Sequence, residues 1–259
     1  MGQNPSNPSG QEPGDAISPG GSRVIRYGPR TIPFQHAGGD SDLIGAITDH
    51  IARHIGPPDV VFHEILSDLV HIDVHVVAPG PDRPFATLVT SGMSEAPMTV
   101  PEGAEAWRFA ELLCVLPADW PVTQRAFEDE RNYWPMRWLK MLARLPHEHD
   151  TWLGPGHTVP HGEPPEPFVP GTSLCSSIVL LPYPFNPDLL SLTHAGHDIK
   201  MLMMVPLTLA EQEFKLAKGA EALERAIEAS GIAWHDLFRP DRPCIASAAV
   251  RKRRRWWPF

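Results

Sequence analysis

Cysteine is scarce: 259 residues hold three, Cys114, Cys175 and Cys244, far apart and in no CxxC. That excludes a disulfide framework and a cysteine-built zinc knot, and it predicts a reducing, cytoplasmic setting. No apolar run approaches the roughly 18 residues that a membrane span needs. The N-terminus lacks the basic-then-apolar order of a signal peptide. Also missing are a dinucleotide or P-loop glycine motif, HExxH, G-x-S-x-G and any internal repeat. No cofactor is therefore expected. Basic residues are few as well: 22 against 31 acidic, or −9. Five of them form one run, Arg251 to Arg255, so the body carries 17 against 31, or −14. Such a body is unsuited to specific nucleic-acid binding, which needs clustered Lys and Arg. It suits a protein partner, above all a cationic one.

Proline is what the chain has in excess: 30 residues, near 12%, against a usual share of about 5%. So much fixed φ and so many lost donors exclude a helical bundle or coiled coil. With 42% apolar residues a sizeable core is available. Residues 1–40 hold eight Gly and six Pro and read as a flexible lead. Ile44, Ile47, Ile51 and Ile55 then recur at helical spacing up to Gly56-Pro57-Pro58. Val60–Leu66 is a short strand. Val70, Ile72, Val74 and Val76 alternate with His71, Asp73 and His75, the period of a half-buried strand. A turn at Pro79–Asp82 leads to a returning strand at Phe85–Thr90, and Phe109–Leu116 is another. Pro135 suits the first turn of a helix that Pro146 ends. A loop from His147 to Gly171 follows, then strands at Leu174–Leu181 and Lys200–Pro206. Thr208 and Glu211 form a capping box, Gly219 interrupts the last helical region and Gly231 caps it. The order predicts an α+β fold, with a mixed or mostly antiparallel sheet and flanking helices.

Thirteen His raise a metal reading. His71, Asp73 and His75 share one strand face, as part of a His/carboxylate site would. The simpler reading is the polar face of an amphipathic strand, since no third partner is evident to complete a site. His147, Glu148, His149, Asp150, His157 and His161 form a second cluster. Pro160 between the last two His denies them helical i, i+4 geometry. No metal site is assigned, and a metal-assisted hydrolase using the His147–His161 loop stands as the alternative. Ser91 and Ser176-Ser177 are ordinary serines, and the cysteines lie in apolar surroundings that keep thiols inert. Asp150 to Thr158 is the densest segment. Gly154 and Gly156 can take positive φ, Asp150 can cap a turn and Trp152 can anchor the loop. It reads either as a rigid presenting loop or as a structural turn. The ending Arg251, Lys252, Arg253, Arg254, Arg255, Trp256, Trp257, Pro258, Phe259 mixes cations with aromatics and could contact anionic surfaces.

Several pieces in order are similar to the suppressor-of-fused (SUFU) family in its bacterial form. They are Val70 to Pro79, Thr87 to Ser94, Ala110 to Leu113 and Leu116 to Trp120. Tyr133-Trp134-Pro135 leads to Leu142–Pro146, then come Asp150 to Val159, Val205-Pro206-Leu207 and Glu211 to Leu223. The resemblance spans about residues 43–245. It implies an α+β domain without known catalysis. In animals such a domain sequesters a transcription factor, partly through added β-pairing. Bacterial relatives resemble immunity proteins of polymorphic toxin systems. The second domain and long insertion of the animal protein are not matched, nor does the basic ending fit the family pattern. The resulting expectation is a lead at 1–40, a SUFU-like domain at 41–245 and a basic, aromatic tail at 246–259. It is a non-enzymatic binder of a protein partner, such as a cationic toxin domain. The candidate interface is Glu111, Asp150, Trp152, His157 and Glu163.

Overall fold

The isoleucine repeat is realised as α1 (Ser41–His54), started by Asp40, whose carboxylate accepts from the amides of Asp42 and Leu43. The computed structural model describes residues 16–246. A small hairpin, β1 (Ala16–Ile17) with β2 (Arg23–Val24), precedes the helix. Residues 16–40 lie across the domain surface, and no residue from 16 to 42 is buried. The tail residues Arg251 to Trp257 fall outside the described residues.

Among the described residues eight strands form one sheet. They are β3 (Val60–Phe62), β4 (Asp73–Val77), β5 (Phe85–Ser91), β6 (Phe109–Pro117), β7 (Thr158–Pro160), β8 (Leu174–Leu180), β9 (Ser191–His194) and β10 (His197–Thr208). The order is β3-β4-β5-β6-β10-β8-β7, and β9 also pairs with β10. Every pairing is antiparallel except β6 with β10, where Leu202 lies opposite Leu112. The mixed sheet that the element order predicts is therefore present.

Helices cover both faces, so the central strands are buried on each side and lose the alternation of a half-wet sheet. On one face α2 (Glu130–Glu148) sets Trp134, Trp138, Leu139 and Leu142 against Val74, Leu88, Leu112 and Leu116. On the other, α1 and α4 (Ala220–Ser230) set Ile47, Ile51, Leu223 and Ile227 against Val89, Leu113, Met203 and Leu207. Each fully buried aliphatic side chain contributes about 1.5–3 kcal/mol. Between β10 and α4 lies α3 (Leu209–Lys218).

Several boundaries differ from the sequence expectation, beginning with the strand at Val60, which stops at Phe62, and the next, which starts at Asp73. The second helix begins five residues before Pro135, because Asp129 caps it by accepting from Arg131 N–H, and it runs on through Pro146 to Glu148. The long loop after it contains β7. The last strand extends to twelve residues, and β9 folds back on its start. The capping box at Thr208 and Glu211, the break at Gly219 and the left-handed cap at Gly231 are found where expected.

Candidate functional site

The loop between α2 and β8 is built from the inside outward. The carbonyl of Pro146 accepts from Thr151 N–H and that of Thr151 from Thr99 N–H, which fixes the chain as it leaves the helix. Asp150 makes the turn with φ of 47° and is exposed. Leu153 plugs the core beside Met98. Trp152 packs against the same core, with His157 edge-on to its ring at 4.4 Å. Of the two glycines, only Gly156 takes positive φ, at 83°. Gly154 serves by lacking a side chain: a Cβ there would lie 2.4 Å from Trp152 Cζ3. Gly156 N–H then donates to Val179 O, and Val179 N–H to His157 O, so the loop is stitched to the sheet.

Lys215 of α3 reaches beneath this loop and donates to Thr158 Oγ1 at 3.3 Å. Burial lowers the pKa of Lys215. Burial first, and Lys215 second, lower that of His157, so the imidazole is neutral at pH 7. β7 follows, paired with β8 on one side and with no strand on the other among the described residues. Glu163 sits beyond it, exposed, accepting from Arg26 Nε at 2.8 Å. Asp150, Trp152, His157 and Glu163 thus share one loop around the β7 edge.

Glu111 does not join them. It is fully buried, and its carboxylate accepts from Thr90 Oγ1, Gly92 N–H, Ser94 N–H and Ser94 Oγ. Burial pushes its pKa up against those four donors. As folded, Glu111 holds the Ser91–Ser94 turn and presents no surface. The signal was available: one carboxylate inside the apolar run from Phe109 to Leu116 points to a strand covered on both faces. Two contributors that pattern reasoning missed are Lys215 and Thr151, whose roles arise only when distant segments meet.

The histidine clusters do not converge. His147 Nε2 bonds Met93 O, His149 stacks on Tyr27 at 4.8 Å and His161 Nδ1 bonds Glu166 O. In the strand cluster Asp73 accepts from Glu64 N–H and pairs with His63 and His71, while His71 Nδ1 meets Ser67 Oγ at 2.6 Å. This Ser–His–Asp chain has the composition of a nucleophile relay, but Ser67 is buried and Gly39 packs against the His71 ring. His75 points elsewhere, to Ser91 Oγ at 2.9 Å. The half-buried strand is corrected too, since every residue of β4 is buried. Among the described residues no group of three or more His, Cys, Asp or Glu is placed to hold a metal. Cys114, Cys175 and Cys244 are unpaired thiols, and burial raises the pKa of the first two. No helix among the described residues is long and apolar enough to cross a membrane.

Solved structures with this fold include a SUFU homolog from Neisseria gonorrhoeae FA 1090, 20% identical, with a TM-score of 0.58, covering 80% of this chain and 98% of its own. The Sufu–Fu complex matches at 14% identity and a TM-score of 0.58, over 84% of this chain and 98% of that one. Drosophila Suppressor of Fused matches at 13% and 0.55, over 84% of this chain and 56% of its own. No curated protein matches the chain. The sequence model of Suppressor of fused protein (SUFU) matches residues 68–242, more than half of the chain and the stretch that holds β4 to β10 and the loop just described, so the chain belongs to the SUFU family.

Proposed function

We propose that this SUFU domain is a non-catalytic module that binds a protein partner in the cytoplasm. The specific reading is an immunity protein that neutralises a cationic toxin domain by covering its active site. The observation that carries it is β7, half-buried at the end of the sheet on a loop stitched to β8, with exposed Asp150 and Glu163 around it, on a body of charge −14. An open strand edge accepts an extended segment through its backbone groups, and neighbouring charges choose which segment. A stable complex of this kind buries about 1,200–2,000 Å² in total. One of the structures sharing this fold is itself a complex, Sufu with Fu.

The test is a pull-down from the source cell, then co-expression and purification with whatever cationic toxin domain it recovers. Rescue of growth and a stoichiometric complex, both weakened by Asp150→Lys with Glu163→Lys, support the reading. No rescue and no complex reject it.

A further inference from the structure

The stretch from Ala16 to Gly39 carries Arg23, Arg26 and Arg30 and no acidic residue. It runs extended over the face that holds the candidate loop, touching it at separate points. The β1–β2 hairpin docks where α3 meets α4: Gly20 N–H donates to Leu216 O at 2.7 Å. A Cβ on Gly20 would lie 2.4 Å from Gly219 N, so two bare backbones pack against each other there. Arg26 then pairs with Glu163, and Tyr27 Oη meets Thr151 Oγ1 at 2.8 Å. Arg30 grips Asp68 with two nitrogens and lies 3.7 Å from Glu148. The stretch finally pairs with residues 67–69, with Leu69 N–H donating to Gln35 O and Ala37 N–H to Ser67 O.

Apart from the stacking of Tyr27 on His149, every one of these contacts is polar or backbone. The apolar side chains Ile17, Ile25, Tyr27 and Phe34 are 40–69% exposed, and nothing in the stretch is buried. A segment held by such contacts opens at low cost without disturbing the core.

We propose that residues 16–37 are a detachable strap, an in-chain occupant of the face the partner uses, where their arginines stand in for those of a cationic partner segment. This rests on the reading that the 150–163 loop faces the partner. The domain would then be partly self-covered, and a partner would have to displace the strap. Binding in cis has the advantage of an effective concentration in the mM range, so only a well-matched cationic segment displaces it.

The test uses the full chain and a synthetic peptide of residues 16–38 as probe. In Arg26→Glu/Arg30→Glu the strap's anchors repel Glu163 and Asp68, and the freed face takes the peptide at least tenfold more tightly than the unaltered chain does. Gly20→Ala, which disturbs only the hairpin dock, gives a smaller gain in the same direction. Raising the salt weakens both, as screening requires. Both variants keep the cooperative melt of the unaltered chain, and trypsin cuts them faster after Arg23. Equal peptide binding by variants and unaltered chain overturns the proposal, and so does loss of the cooperative melt in both variants. Peptide exchange without toxin neutralisation would leave the strap standing and sink only the partner reading.

Discussion

Two Arg–Glu pairs in this domain share chemistry and differ in burial. Arg242 and Glu211 are 3% and 0% exposed, whereas Arg26 and Glu163 are 62% and 68% exposed. Arg242 meets both Glu211 oxygens, at 2.6 and 2.7 Å, and also donates to Leu237 O and Pro206 O. Glu211 in turn accepts from Thr208 and Ile245 N–H. Burial opposes its ionisation, but Arg242 and these amides outweigh it and hold the pKa below its usual value. That pair ties the segment after α4 to the sheet and cannot be opened alone. The exposed pair is surrounded by water, which competes for both partners and screens them. Burial, more than bond geometry, separates what holds the fold from what stays available for exchange.

The contrast breaks first at Arg242. Arg242→Met leaves Glu211 buried without its counter-charge and should cost about 3–5 kcal/mol, read by urea denaturation. Adding Glu211→Gln should recover part of that loss, since the stranded charge is gone. If Arg242→Met unfolds at the unaltered midpoint, the clamp is not structural.

Acid should act through buried groups as well. Burial holds His75 near pKa 4, against an ordinary 6.5, so the folded state disfavours its proton. Its contribution is complete above pH 6.5 and is lost as pH falls towards 4, amounting to about 3 kcal/mol at the acid end. Glu211, with its lowered pKa, adds to the loss only below the usual carboxylate range. Denaturation midpoints from pH 7 to 4.5 should therefore fall, and His75→Gln should flatten that slope; an unchanged slope removes His75 from the account.

A smaller effect belongs to Trp138, whose indole N–H donates to Ser177 Oγ at 2.9 Å inside the core. Trp138→Phe keeps most of the packing and removes the donor from Ser177 Oγ, which keeps its own bond to Val159 O, for about 1 kcal/mol. The smallest is at the surface. Arg26→Ala should leave the urea midpoint where it is while speeding tryptic cleavage in residues 16–37; a shifted midpoint would put the exposed pair in the same class as the buried one.

What the sequence made legible follows from how local each signal is. The isoleucine spacing of α1, the Thr208–Glu211 capping box and the apolar run of β6 are written within a few residues, and each lies where its pattern puts it. Pro135 misled because a proline inside a helix costs one bond, which the Asp129 cap and the packing of Trp134 and Trp138 offset. Asp73 and His75 looked wet because alternation reports one strand, while the helices that cover its second face come from far along the chain. The contacts of residues 16–40 stayed hidden for the same reason: Glu163, Thr151 and Asp68 are 38 to 137 positions away from the residues they hold. Of the candidate loop, Asp150 to Thr158 was visible as a unit through its Gly, Pro and Trp content. The burial of Glu111 needed the neighbouring strand and the Ser94 turn.

The single parallel seam of the sheet sets the timetable of folding. Leu112 finds its neighbour only when Leu202 has been made, long after β3 to β6 are able to zip as hairpins. Until then the emerging polypeptide carries an apolar ribbon with a naked flank, the state in which ribosome-bound chains stick to each other. Refolding should be correspondingly sluggish and concentration-sensitive, and chaperone demand should peak just before the last quarter of the molecule leaves the ribosome.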